Sequence, residues 1–158
     1  MRKFISFIFI LLLMSSFLSC DSDDNLPIYG EYHFHKMIYL SPLSSVSLEL
    51  SKELRENTQY EISKDSFRVI SDSDTYEIED PTYETIKMNE EQVKVFHDSV
   101  LNSISLKDYK YKYQYDIYDK EGNKSNYRIY LMDDELWLAS YLLTSSEEEY
   151  IFDICSLN

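Results

Sequence analysis

Glycine, cysteine and proline are scarce in this chain of 158 residues, with two, two and three of them. Having only Gly30 and Gly122, the chain is poorly supplied for a tightly coiled closed barrel, which turns its corners on glycine. Basic charge is also short: 15 Lys and Arg stand against 29 Asp and Glu, a formal net charge of −14. That balance argues against a nucleic-acid binder, which needs a basic face. It also disfavours adhesion of the body to anionic lipid. No nucleophile elbow, phosphate loop, zinc signature or carboxylate pair of defined spacing occurs, so neither an enzyme nor a cofactor is expected.

No apolar run is long enough to span a bilayer, which takes about 20 residues. The longest, Phe4 to Met14, has eleven and follows Arg2 and Lys3. This is the layout of a secretory signal peptide. It continues as Ser15, Ser16, Phe17, Leu18, Ser19 and Cys20, placing a cysteine directly after a small residue. The stretch resembles the lipobox of bacterial lipoproteins, with Phe17 and Leu18 where that family prefers a branched aliphatic and a small residue. The resemblance implies cleavage before Cys20, acylation of its thiol and new amino terminus, and a lipid-anchored place in the cell envelope. Asp21-Ser22-Asp23-Asp24 resembles the acidic tether that directs some Gram-negative lipoproteins to the outer face of the outer membrane; a plain solvated linker on the periplasmic side is the alternative.

On that reading residues 1–19 are signal peptide, 20–27 a lipidated tether and 28–158 one β-rich domain. Loss of Arg2 and Lys3 takes the charge from −14 to −16. Two or three acyl chains hold lastingly where one holds marginally. Residues 21–27 reach at most about 25 Å, so the body stays near the headgroups. With Cys20 acylated, Cys155 has no partner for an intrachain disulfide. Stability must then come from packing, for which fifteen tyrosines and eight phenylalanines are available.

Ile28 to Leu40 reads as a strand, with Tyr32, Phe34, Ile38 and Leu40 on one face and Lys36 the exception. Glu31, His33 and His35 share the other face as weak metal-ligand candidates; strand neighbours two apart lie ~7 Å from each other, wide for a compact tetrahedral site. Residues 41–57 fit a helix capped near Ser41-Pro42 or an alternating strand at Val46, Leu48 and Leu50, and the strand followed by a turn is favoured. Tyr60 with Ile62, Phe67 with Val69, Tyr76 with Ile78, and Tyr83 to Met88 then mark short meander strands. The intervening acids Asp72, Asp74, Glu77, Glu79 and Asp80 lack the spacing of a calcium loop.

One helix is expected near 89–104, with Asn89 as cap, Gln92 as its reciprocal partner and Val93, Phe96, Val100 and Ile104 as the apolar stripe. His97 borders that stripe. Beyond it, Tyr109, Tyr111, Tyr113, Tyr115 and Ile117 alternate with polar residues, and Tyr127, Ile129 and Leu131 resume the pattern. A three-residue loop Lys120-Glu121-Gly122 with Gly122 left-handed keeps the faces together, placing Tyr115 opposite Tyr127 and Tyr113 opposite Ile129. A two-residue turn at Asp133-Asp134 sets Leu131 opposite Leu136. The last strand is Tyr150 to Cys155.

The expected fold is therefore mainly β (α+β), an antiparallel meander sheet or half-barrel, lipocalin-like at most, with one packed helix. Its tyrosine-rich face meets the helix or lines a pocket. Tyr118, Tyr130 and Trp137 project from the other face as a candidate stacking surface for a ligand such as a sugar. Gly30-Glu31-Tyr32 faintly resembles the glycine-x-tryptophan of lipocalins, without the tryptophan. Two functions follow as expectations: a membrane-anchored protein-interaction or accessory module for a basic partner, or lipocalin-like binding of a small apolar ligand or glycan.

Overall fold

In the computed structural model, residues 25–101, 106–143 and 148–158 are described, and Cys20 lies outside them. The strands are β1 (Gly30–Leu40), β2 (Gln59–Ile62), β3 (Ser66–Ile70), β4 (Thr75–Glu79), β5 (Thr82–Lys87), β6 (Tyr111–Tyr118), β7 (Lys124–Met132), β8 (Leu136–Leu143) and β9 (Glu149–Leu157). Helices α1 (Leu48–Arg55) and α2 (Glu90–Asp98) interrupt them. All nine strands join one antiparallel sheet in the order β4-β3-β2-β1-β9-β8-β7-β6-β5.

The sheet is open, with β4 and β5 at its edges, yet only Asp80 and Pro81 separate these two strands in sequence. Three residue steps reach about 11 Å, so the edges must come together at this corner and the sheet must roll. Asp80 takes φ 48° there, a conformation its short side chain tolerates. Inside the roll sits a core drawn from all nine strands, with Tyr60, Phe67, Tyr115, Ile117, Ile129 and Leu138 almost fully buried. The architecture is thus the expected half-barrel.

The long strand β1 makes the bend. Its register against β9 slips between Phe34 and Lys36 and again between Met37 and Tyr39, and bulges of this kind sharpen twist and re-aim side chains. Lys36 consequently points outward, where Nζ lies 2.7 Å from Glu135 Oε1. Tyr32 and Phe34 pack against the inner core, whereas Ile38 packs on the outer one with Tyr39. The uniform face expected from Tyr32 to Ile38 is broken by these two slips.

The segment favoured as a strand at Val46–Leu50 instead leads, through the cap Ser47, into a helix that starts at Leu48. Ser47 caps α1, its Oγ accepting from the Leu50 amide at 3.2 Å, and Leu, Glu, Lys and Arg are all good helix formers. Helix α2 begins as expected, with Asn89 Oδ1 accepting from the amides of Glu91 and Gln92 at 3.0 Å each. It ends earlier than expected, at Asp98, and Ile104 is outside the described residues. Its Phe96, with Val100 just beyond, packs on Tyr130, Trp137, Tyr141 and Ile151. The helix therefore covers the outer face of the sheet; of the tyrosine row, Tyr115 is turned into the roll, Tyr113 is 37% exposed, and Tyr111, beyond a second register slip, packs on Phe96 with ring centroids 5.2 Å apart.

The hairpin between β6 and β7 has the expected loop, with Gly122 at φ 85° and Tyr118 opposite Lys124. An irregularity next to Tyr118 then moves the register by two residues, so Tyr115 faces Ile129 and Tyr113 faces Leu131. An even shift preserves the faces. The Asp133-Asp134 turn closes as expected, with Leu131 opposite Leu136 and Tyr130 opposite Trp137.

Candidate functional sites

Packing inside the roll leaves the polar exceptions as the informative residues. At one mouth Asp153, from β9, is almost fully buried and pairs with Arg55 at the end of α1. Ser140 Oγ donates to its second oxygen at 2.7 Å. A cavity of about 320 Å³ opens here, bordered by Leu54, Arg55, Thr58, Tyr76, Tyr127 and Asp153. Below it Tyr60 OH lies 3.7 Å from Cys155 Sγ. Burial pushes the Cys155 thiol up to about 11, and raises the Tyr60 phenol well above its ordinary range.

Helix α1 lies against β1 with an inverted polarity. Ser51 is its one buried residue and Arg55 is half-buried, while Leu48, Leu50 and Leu54 are 40%, 42% and 64% exposed. Leu43, just before the helix, is 59% exposed. Glu49, Glu53 and Glu56 intersperse these leucines. Burying one leucine side chain fully is worth roughly 1.5–3 kcal/mol, of which each of these leucines forgoes a part.

A second polar group lies under α2, on the outer face of β6 to β9. Asp116 and Arg128 are cross-strand partners and both are buried. Asp116 accepts from Gln114 Nε2 at 2.6 Å and pairs with Lys124. Arg128 pairs with Glu149, stands 3.3 Å by its Nε from Asp116 Oδ1, and places its guanidinium carbon 3.8 Å from the centre of the Tyr141 ring. The Tyr141 and Tyr130 hydroxyls are 2.5 Å apart, and burial raises both phenols above their usual range. Gln92 Oε1, which borders this group, is buried with no hydrogen-bond partner among the described residues, whereas Arg128 Nε keeps its ion-pair contact with Asp116. An orphaned buried polar atom costs about 1–3 kcal/mol. Gln92 is thus not the reciprocal partner of the Asn89 cap. A cavity of about 250 Å³ adjoins Gln92 and Arg128.

The residues expected from sequence to form a site do not assemble one. Trp137 is fully buried beneath the rings of Tyr109 and Tyr111 and donates from Nε1 to Glu135 Oε2 at 2.8 Å; Tyr130 is buried against Phe96 of α2. Tyr118 lies apart at the end of β6, donating to Glu84 Oε2 at 2.8 Å, a bond that pushes its phenol up to about 12. These three side chains therefore form no exposed stacking surface, because Phe96 of α2 covers Tyr130 and the Tyr109 and Tyr111 rings cover Trp137. Glu31, His33 and His35 are exposed along β1, and no group of three metal-ligating side chains occurs among the described residues. His97 sits at the rim of α2, its Nε2 3.1 Å from Tyr111 OH.

Sequence reading missed Arg55, Asp153, Asp116 and Arg128. The expected hairpin register set Asp116 opposite Asn126, so the acid and base became cross-strand partners only through the two-residue shift. Comparison of the chain with protein-family models, with curated proteins and with solved structures finds no match.

Proposed function

We propose that this protein is a lipid-anchored module of the cell envelope that docks a basic protein partner through the leucine face of α1. The observation that carries the reading is the polarity of α1, with Ser51 and Arg55 toward the body and Leu43, Leu50 and Leu54 toward solvent. An apolar patch rimmed by charge marks an interaction surface on a soluble body. The rim here is acidic on balance, with Glu49, Glu53 and Glu56 against Lys52, and the whole chain carries −14. Such a field steers basic partners and is screened by salt.

A filled roll supports the same choice over an apolar-ligand carrier, since the inner core leaves its largest side chains, Tyr60, Phe67 and Tyr115, without open space around them. The anchor rests on Ser19-Cys20 and on the signal-like run before it. Two experiments test the two halves. Mass spectrometry of the mature amino terminus should find Cys20 acylated, and Cys20→Ser should release a folded body; an unmodified, already soluble wild type contradicts the anchor. Affinity capture from native envelope at low salt should return a basic protein that is lost at high salt and with Leu50→Glu/Leu54→Glu. Capture that this double variant leaves unchanged contradicts the docking face.

A further inference from the structure

The cavity at the mouth of the roll adjoins the leucine face of α1, since the exposed Leu54 borders both. Its volume of about 320 Å³ lies at the small end of ligand sites. Three charged side chains border it, Arg55, Asp74 and Asp153. Arg55 and Asp153 form an ion pair and leave no net charge. Asp74 is exposed and joins no ion pair among the described residues, so the wall carries one unmatched negative charge. The turn between β3 and β4 holds that carboxylate in place: the Ser71 hydroxyl donates to the Asp74 carbonyl at 2.9 Å, and Asp74 Oδ1 accepts from the Thr75 amide at 2.8 Å. An ionised carboxylate accepts several bonds, and Oδ2 makes none among the described residues.

Two aromatic rings line the same cavity, Tyr76 and Tyr127, with centroids 5.1 Å apart. Tyr76 is 40% exposed, so its ring can be reached from solvent. An unmatched carboxylate next to an open ring repels a carboxylate or phosphate and attracts a cation, which gains from the π face and from the charge together. Of the two cationic side chains, arginine is the more weakly hydrated, and its planar head can stack on a ring while bonding a carboxylate. We propose that this cavity receives an arginine side chain of the docked partner, its guanidinium against the Tyr76 ring and Asp74, while neighbouring residues of the partner lie on Leu50 and Leu54. The docking reading supplies the source of that arginine; the site itself stands on Asp74 and Tyr76.

The test is two-dimensional NMR of the intact protein titrated with Nα-acetylarginine methylamide and with its neutral analogue, Nα-acetylcitrulline methylamide. The expected result is a saturable shift of the backbone amides of Asp74, Tyr76 and Tyr127 with the arginine compound, and binding about tenfold weaker with citrulline, which lacks both attractions. Asp74→Asn keeps an oxygen for the Thr75 amide while removing the charge, and should weaken arginine binding about fivefold. Tyr76→Leu should weaken it about threefold. Spectra unmoved by the arginine compound, equal binding of citrulline, or unchanged binding in Asp74→Asn overturns the site. Protein capture that depends on Leu50 and Leu54 but not on Asp74 overturns it as well, and spares the docking reading. Arginine binding without any captured protein supports the site and counts against the docking reading alone.

Discussion

Asp153 shows how single residues govern this fold. Its carboxylate is buried against Arg55 and Ser140, and removing one partner of such a pair leaves a charge in a poor solvent. Arg55→Ala should therefore cost about 3 kcal/mol in urea unfolding; a loss under about 0.5 kcal/mol, the range of ordinary surface changes, would mean that water serves the carboxylate instead. Cys155 offers a second check. Buried and with its thiol pushed up to about 11, it should react with thiol reagents at pH 8 only as fast as the domain opens, and rapid labelling of the native protein would contradict its placement. Glu135 gives a pH signature. The Lys36 bond first, and then Trp137, hold its carboxyl below the ordinary 4.5. A depressed value in the folded state stabilises above the unfolded value and is lost as pH falls below it. Glu135→Gln should thus flatten the decline in stability below pH 4.5, which comparison of urea midpoints at pH 3.5 and pH 6 will read.

Among the elements, the two helices differ in what their apolar residues do. Asn89→Ala should cost about 1 kcal/mol by unsatisfying the start of α2, and Phe96→Ala about 3–5 kcal/mol by emptying the outer core. Leu50→Glu and Leu54→Glu on α1 should each change stability by less than about 0.5 kcal/mol. The same contrast explains what could be read beforehand. Asn89 and the stripe through Phe96 were legible because cap and burial agree there. In α1, leucines at 48 and 50 satisfy an alternating pattern, and since none is buried, packing gave that pattern no meaning. The turns at Gly122 and Asp133-Asp134 were legible from local chemistry. The register beyond Tyr118 was not, because the irregularity that moves it is decided by partners across the strands. That shift also hid the Asp116 and Arg128 pair from view.

For the molecule as a whole, tyrosine supplies much of the buried packing. Burial raises the phenols of Tyr60, Tyr83, Tyr111 and Tyr130 above the ordinary 10.0. The stability that comes from keeping them neutral is fully present below pH 10 and is lost as pH rises beyond it. Alkaline titration should accordingly show exposed tyrosines ionising first, and these four only together with loss of circular dichroism; their ionisation in a folded protein would contradict the packed interior. The outward leucines of α1 carry the proposal of a docking face. The most direct measurement is photo-crosslinking in intact cells with a photoreactive amino acid at position 54, against a control at Glu121 in the β6–β7 turn. A discrete protein adduct from position 54, absent from the control and abolished by Leu50→Glu, is the predicted result. Adducts that are equal at both positions, or that contain lipid only, would contradict the account.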